Sequence, residues 1–183
     1  MSRLAPIEVE KLDEEQKRVY DAVIAGPRGG VRGPVPFWLK SPGLADPAQR
    51  LGAFLRFESG LAPKLRELAI LVTARASTAQ YEWYMHRPLA EKAGLEPAIA
   101  DAIAARGEPA FADDDEALTY ALAVSLTKTH GIDEALFRRG LARFGERGMV
   151  ELVGLVGYYT MVAMTLNAFG ATLPDGMAPP LPA

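Results

Sequence analysis

Three ionisable side chains stand out because helical spacing places them among apolar residues. A helix advances by about 100° per residue, so Glu82 and His86 share one narrow face with Leu89. On the preceding predicted helix, Glu67 lies on a flank with Ile70. An ionised carboxylate buried without a partner is costly, so it normally pairs, accepts hydrogen bonds or takes up a proton. The pattern indicates acid–base chemistry or, equally well, a structural Glu–His pair that ties two helices together.

The same three side chains could also bind a divalent metal ion, because carboxylate and imidazole groups suit several such ions. The sequence lacks the HExxH spacing and has no second histidine near His86, so we expect no metal site. Tyr81 and Trp83 neighbour the Glu–His pair and could line a substrate pocket. Aromatic residues on a helix also commonly form the core or an interface, and this alternative stays open.

The composition excludes several classes of function. The 183 residues include no cysteine, which rules out disulfides, zinc–cysteine sites, iron–sulfur clusters and thiolate nucleophiles on this chain. The formal net charge of −3 leaves no basic stripe for a phosphate backbone, so we expect no nucleic-acid partner. The first residues are charged and lack the apolar run of a signal peptide, which favours a cytoplasmic location. Gly29, Gly30 and Gly33 lack the Lys-Ser/Thr ending of a phosphate loop, so no nucleotide cofactor is expected.

Hydrophobic residues recur at helical spacing along almost the whole chain, and alternating β-branched runs are missing. The pattern predicts an all-α fold, with helices at 14–25, 46–58, 63–75, 79–93, 97–105, 116–129, 134–144 and 149–169. The length suits a single domain over 1–183. Within it we predict a helix and loop arm at 1–45, and a proline-rich tail at 174–183 that extends away or crosses onto a neighbouring subunit.

The segment 149–171 approaches the length of a membrane span, but it carries Glu151 and Asn167 and lacks basic anchors on both sides. A buried helix is the better interpretation, and we expect no membrane partner. Gly154 and Gly157 would let another backbone approach closely. A helix that is apolar all round needs cover on several sides, which one domain of this size does not readily supply. We therefore expect a homo-oligomer.

Two further residues attract a functional and a structural interpretation. Trp38, in the proline-rich stretch before Pro42, either covers a pocket or fixes the N-terminal arm in place. His130 lies at a predicted helix C-terminus, where the helix dipole favours a cation, and we predict that it caps this helix.

Several blocks of sequence are more specific in combination than any one of them alone. They read SPGL at 41–44, LGAFLRF at 51–57, LRELAIL at 65–71, YEW at 81–83 with His86, and FG at 144–145 followed by VELV at 150–153 and GYYTM at 157–161. Together they resemble the carboxymuconolactone decarboxylase family over roughly residues 44–170. The resemblance implies the all-helical fold shared with alkyl hydroperoxidase D, usually assembled as dimers, trimers or hexamers.

In the hydroperoxidase branch of this fold, a glutamate precedes a Cys-x-x-Cys-x-x-x-His motif and relays protons to the resolving thiol. Aligned on His86, the two cysteine positions fall on Ala79 and Glu82, and the relay glutamate falls on Glu67. By this resemblance, the sequence retains the glutamate and the histidine of the hydroperoxidase site and lacks its two redox-active cysteines. Thiol peroxidase activity is excluded because this chain supplies no thiol.

The decarboxylase branch implies a cofactor-free lyase that acts on a lactone acid from aromatic-ring breakdown. Loss of carbon dioxide leaves electron density that must be delocalised and then protonated. By this resemblance His86 is the expected proton donor, with Glu67 or Glu82 relaying or tuning its proton. An arginine is expected to hold the substrate carboxylate, and the candidates are Arg56, Arg66 and Arg75. The alternative is a non-catalytic oligomer of the same fold that binds small molecules or serves as a structural scaffold.

Overall fold

Helix-forming signals dominate the chain, and the computed structural model, which describes residues 2–182, contains helices and no strand within that range. The predicted all-α fold is confirmed. A short 3₁₀ turn at Val9–Lys11 precedes eight α-helices: α1 Glu14–Ala25, α2 Val35–Trp38, α3 Pro42–Ala53, α4 Pro63–Ala76, α5 Gln80–Lys92, α6 Pro97–Ala104, α7 Asp114–Thr129 and α8 Glu134–Phe169.

The chain divides into two compact units, each with its own set of internal contacts. One unit comprises Met1–Ser59 with Thr165–Thr172, and the other comprises Gly60–Met164 with Leu173–Ala183. The single domain over 1–183 stays a prediction.

The first unit begins with a helix whose start is determined by local hydrogen bonds. The Asp13 carboxylate accepts the Gln16 backbone N–H at 2.8 Å, and the Gln16 side chain accepts the Asp13 N–H at 3.1 Å. This capping box satisfies two amide groups that an uncapped helix leaves unpaired. Farther along, the buried Trp38 indole N–H donates to Thr165 Oγ1 at 3.0 Å. Trp38 therefore fixes the arm to the end of α8, as the structural interpretation predicted.

The predicted helix over 46–58 differs from the observed one at both ends. α3 starts earlier, at Pro42, because a proline in the first turn of a helix loses no hydrogen bond. At its other end the helix widens into a π-helical turn at Phe54–Glu58, where the Ser59 N–H donates to the Phe54 carbonyl at 2.9 Å. Hydrophobic periodicity does not distinguish this wider turn from an α-helical one.

The second unit is built around α4. Four consecutive residues of α4, Leu68–Leu71, are fully buried. A helix that is buried on every face must be covered by neighbours, and α4 packs against α5, α6 and α7. This arrangement encloses the polar side chains of α4 together with the apolar ones, so any ionisable residue on α4 needs a partner from an adjacent helix.

The last long helix combines two segments that the sequence predicts separately. α8 runs from Glu134 to Phe169, but Gly145 has φ 66° and ψ 177°, which is not a helical conformation. Its apolar part contains an 18-residue window of mean hydropathy 1.5, long enough to cross a membrane by length and composition. Because 56% of that window is buried inside the protein, the core helix of a soluble domain is the favoured interpretation.

The proline-rich tail packs against another part of its own chain. This finding corrects the expectation that the tail extends away or crosses onto a neighbouring subunit. Leu181 is buried, and its backbone forms two hydrogen bonds with the side-chain amide of Gln80, both at 2.9 Å. The amide of Gln80 carries a donor and an acceptor, so it satisfies both backbone groups of one residue. The tail is therefore attached at the first residue of α5.

Candidate active site

A buried hydrogen bond joins two of the three candidate catalytic residues. His86 Nδ1, on α5, lies 2.7 Å from Glu67 Oε2, on α4. The two side chains are only 9% and 7% exposed. The packing of α4 against α5 thus brings together residues that are 19 positions apart in the sequence.

This contact determines which nitrogen of the imidazole can exchange a proton. An ionised Glu67 accepts a hydrogen bond from Nδ1–H, and the neutral ring then carries its lone pair on Nε2. The same carboxylate stabilises the imidazolium that forms when Nε2 takes up a proton. The ring orientation is further restricted by Tyr159, whose ring centroid lies 5.0 Å from that of His86 in an edge-on arrangement with an interplanar angle of 87°. The pair has the geometry of a general acid–base.

Glu82 has a different environment from Glu67. The residue is 1% exposed, and neither carboxyl oxygen has a hydrogen-bond partner among the described residues. Burial raises the pKa of the Glu82 carboxyl well above its ordinary value, because no nearby charge or donor offsets the loss of hydration. The sequence left open which glutamate pairs with His86, and the structure assigns that contact to Glu67.

The two aromatic candidates differ in exposure. Trp83 is fully buried, as the core alternative predicts, and its indole N–H has no hydrogen-bond partner among residues 2–182. Tyr81 is half-buried and packs edge-on against Tyr84, with ring centroids 6.3 Å apart. Substrate contact by either residue stays a prediction.

The three candidate arginines do not share one environment. Arg56 lies in the π-helical turn of the first unit, with its guanidinium 5.1 Å from the centre of the Phe57 ring. Arg66 donates to the Leu61 carbonyl at 3.5 Å. Arg75 is 4% exposed and lines a cavity whose walls include none of Glu67, Glu82 and His86. The binding of a substrate carboxylate by any of the three arginines stays a prediction.

Sequence reasoning missed Tyr159, which contacts the imidazole from α8. Tyr159 lies in the block at 157–161 that resembles the family, but the sequence of an apolar helix does not show that one of its aromatic residues contacts a distant histidine.

The structure also bears on the metal alternative. Residues 2–182 contain no group of three or more His, Cys, Asp or Glu side chains placed to hold an ion.

Comparison with known proteins agrees with the helical architecture. Residues 42–126 match the model of the carboxymuconolactone decarboxylase family. The matched range covers a little under half of the chain. Glu67, Glu82 and His86 all lie within the matched range, so the candidate acid–base residues are part of the family region. No curated protein matches the sequence significantly.

Two solved structures share the fold of this chain. One is the alkylhydroperoxidase AhpD core of an uncharacterised peroxidase-related protein from Ralstonia eutropha JMP134, with a TM-score of 0.76 and 18% identity. The alignment covers 95% of this chain and 93% of that one. The other is an uncharacterised peroxidase-related protein from Silicibacter sp. TM1040, with a TM-score of 0.72, 17% identity, and 96% and 92% of the two chains covered. At these identities the likeness shows the AhpD-like fold alone.

Proposed function

We propose that this protein is a cofactor-free acid–base enzyme, a lyase of the carboxymuconolactone decarboxylase type, that acts on a small carboxylated or lactone compound. The observation that supports the proposal best is the buried hydrogen bond of 2.7 Å between His86 and Glu67. A carboxylate-oriented imidazole is a common proton-transfer group at neutral pH. The neighbours' description as peroxidase-related has no counterpart in this chain, because it contains no cysteine to react with a peroxide.

The proposed reaction uses the imidazole as the proton donor. The bond between a ring carbon and the substrate carboxylate breaks, carbon dioxide leaves, and the electron pair moves into the conjugated lactone carbonyl. His86, protonated on both nitrogens, then delivers the Nε2 proton to carbon and returns to the neutral form. Glu67 holds the imidazolium through Nδ1–H before transfer and keeps the neutral ring in the productive tautomer afterwards.

Glu82 contributes to the proposal through its neutral carboxyl group. A carboxylic acid that is kept protonated at neutral pH can donate a hydrogen bond or a proton, whereas an ionised one can only accept. Because Glu82 shares the His86 face of α5, we assign it the role of a second, neutral acid that supports protonation. The Glu82 carboxyl is not hydrogen-bonded to His86, so it acts separately from the Glu67–His86 pair.

A second candidate function is a non-catalytic oligomer that binds small molecules or serves as a scaffold. The near-complete burial of the Glu67 and His86 side chains favours it, because a structural pair requires only a closed core. The two functions differ in one respect that can be measured, since the scaffold has no turnover to lose when His86 is replaced.

The remaining elements of the proposal concern assembly and location. We propose a homo-oligomer, since α8 leaves the apolar side chains of Val150, Val153 and Met164 exposed. We also propose that the protein works in the cytoplasm on products of aromatic-compound breakdown, with no metal or organic cofactor.

The decisive experiment incubates the purified protein with a panel of carboxylated lactones and follows release of carbon dioxide. We expect turnover of at least one compound, and a loss of about 10²-fold or more in kcat for His86→Ala, the size usual for a general acid. Glu67→Gln should lose activity as well, because the amide no longer stabilises the imidazolium.

His130→Ala is the matched control, since His130 is the other histidine of the chain and ends α7 at an exposed position. It should retain wild-type turnover. A His86→Ala protein that decarboxylates as fast as the wild type would eliminate the catalytic proposal. Absence of turnover across the panel, with an unchanged fold in His86→Ala, would favour the scaffold.

A further inference from the structure

A cavity of about 310 Å³ lies in the second unit, away from the Glu67–His86 pair. This volume is at the lower end of the range for small-molecule pockets. Val72 and Ile103 form part of an apolar wall, and the lining also includes three basic residues, Arg75, Arg106 and Lys128. None of Glu67, Glu82 and His86 lines the cavity, so its contents do not touch the proposed catalytic group.

Within residues 2–182, none of the three basic side chains has an acidic partner. No described aspartate or glutamate lies within ion-pair distance of Arg75, Arg106 or Lys128. Arg75 is nine-tenths buried, and its Nε–H has no hydrogen-bond partner among the described residues. A buried guanidinium that lacks an anion retains much of its desolvation cost, so a bound anion would be strongly favoured here.

One hydroxyl group holds the two guanidinium groups close together. Arg75 Nη1 donates to Thr78 Oγ1 at 3.1 Å, and Arg106 Nη2 donates to the same oxygen at 3.2 Å. Both Thr78, with φ 46°, and Arg106, with φ 58°, have left-handed backbone conformations that are unfavourable for residues with a Cβ, above all for a β-branched one. Strain of this kind persists only where the surrounding structure imposes it, and it is concentrated at functional sites.

The electrostatics of the cavity are those of an anion site. Burial, followed by the positive charge of Arg106, lowers the pKa of Arg75 from its ordinary value, although a guanidinium stays protonated at neutral pH. Burial, followed by the charge of Glu108, raises the pKa of the Tyr120 phenol, which therefore stays neutral beside the cations. An anion between the two guanidinium groups would remove their mutual repulsion and could accept hydrogen bonds from both.

We infer that the cavity lined by Arg75, Arg106 and Lys128 is a second binding site, for a small organic carboxylate carried on a compact apolar body. The carboxylate lies at the two guanidinium groups, and the apolar body lies against Val72, Ile103 and the half-buried Tyr120. A planar carboxylate fits the fork of a guanidinium in two-point contact, and the apolar wall favours an organic anion over an inorganic one.

The test titrates the full-length protein with benzoate at constant ionic strength, using calorimetry or amide chemical shifts. Benzamide, which has the same body without the charge, and inorganic phosphate, which has charge without the apolar body, are the comparison ligands. We expect saturable binding of benzoate, and weaker binding of the other two. Arg106→Gln should weaken benzoate binding about tenfold or more, as expected for loss of a charge-assisted contact. Lys128→Gln, in α7, should also weaken benzoate binding.

Two controls define the location of the bound ligand. Arg139→Gln makes the same change of charge at an exposed arginine outside the cavity and should bind benzoate like the wild type. His86→Ala should also bind benzoate normally, even though we expect it to reduce turnover strongly. Failure of the catalytic proposal therefore leaves this inference intact, and failure of the inference leaves the catalytic proposal intact.

Several results would overturn the inference. The inference would be wrong if benzoate showed no saturable binding, if benzamide bound as tightly as benzoate, or if phosphate bound more tightly than benzoate. It would also be wrong if both Arg106→Gln and Lys128→Gln kept the wild-type affinity for benzoate, or if His86→Ala lost benzoate binding.

Discussion

At the scale of single residues, Glu82 has a buried carboxyl group that finds no hydrogen-bond partner or compensating charge in the described part of the chain. Its pKa is raised by burial in the folded protein, whereas in the unfolded chain it has its ordinary value of 4.5. Above that value the unfolded chain loses the Glu82 proton while the folded protein keeps it. The folded state then binds more protons than the unfolded state, so this residue makes stability fall as the pH rises.

Glu82→Gln should remove that pH dependence. We expect the free energy of unfolding of the variant to rise relative to the wild type as the pH is raised above 4.5, by at most about 1.4 kcal/mol per pH unit, until the folded-state pKa is passed. Urea unfolding at a series of pH values measures the difference. Glu146→Gln, at an exposed position on α8, is the control and should parallel the wild type. Parallel curves for Glu82→Gln would contradict the neutral carboxyl that the proposed mechanism uses.

At the scale of elements, the break in α8 depends on one glycine. Gly145, with φ 66° and ψ 177°, occupies a backbone region that is accessible almost only to glycine. A Cβ at this position would meet no atom within 4 Å, so substitution tests the backbone conformation without adding a steric clash. The sequence indicated a helix boundary here, and the structure shows that the chain turns at this glycine and then resumes its helical course.

Gly145→Ala should lower the free energy of unfolding by about 1–3 kcal/mol, the usual cost of forcing a side chain into such a conformation. Chemical denaturation measures the loss. Gly43→Ala, in α3, is the matched control, because its Cβ also meets nothing within 4 Å and its φ is not positive. That variant should differ from the wild type by less than about 1 kcal/mol. Equal free energies of unfolding for the two variants would contradict the prediction that a side chain at position 145 strains the backbone.

At the scale of the whole molecule, α8 presents an apolar stripe that its own chain does not cover. Val150 is 71% exposed and Met164 is 64% exposed. Gly157 lies midway between them, seven residues from each, with open space around its Cβ position. Spacing of seven residues keeps side chains on one face of a helix, as in helix pairs that pack lengthwise. The stripe supports the proposed homo-oligomer.

The double variant Val150→Glu with Met164→Glu should dissociate the proposed oligomer, because charged side chains would have to be buried in the contact. Light scattering coupled to size-exclusion chromatography measures the mass of the assembly. Ile24→Glu, at an exposed apolar position on α1, is the control and should leave the mass unchanged. A monomeric wild type, or an unchanged mass in the double variant, would rule out self-association through this stripe.

The helical architecture and the similarity to the carboxymuconolactone decarboxylase family could be recognised from the sequence because their signals are local. Apolar spacing, the capping box at Asp13 and the proline at the first turn of α4 are encoded within a few residues of each other. The burial of Glu67, Glu82 and His86 also followed from spacing, since each lies on an apolar flank of its helix. Helix ends were less predictable at the π-helical turn after α3, because apolar periodicity is nearly the same in both helix types.

Contacts between distant residues were decided only by tertiary packing. The packing of the helices determines which glutamate contacts His86 and places the ring of Tyr159 edge-on against it. The packing of the tail determines the hydrogen bonds between Leu181 and Gln80. The cavity of Arg75, Arg106 and Lys128 likewise joins three separate positions of the chain, and no spacing rule links them. Periodicity specifies which face of a helix is buried, whereas the partner on that face is chosen by packing between elements far apart in the sequence.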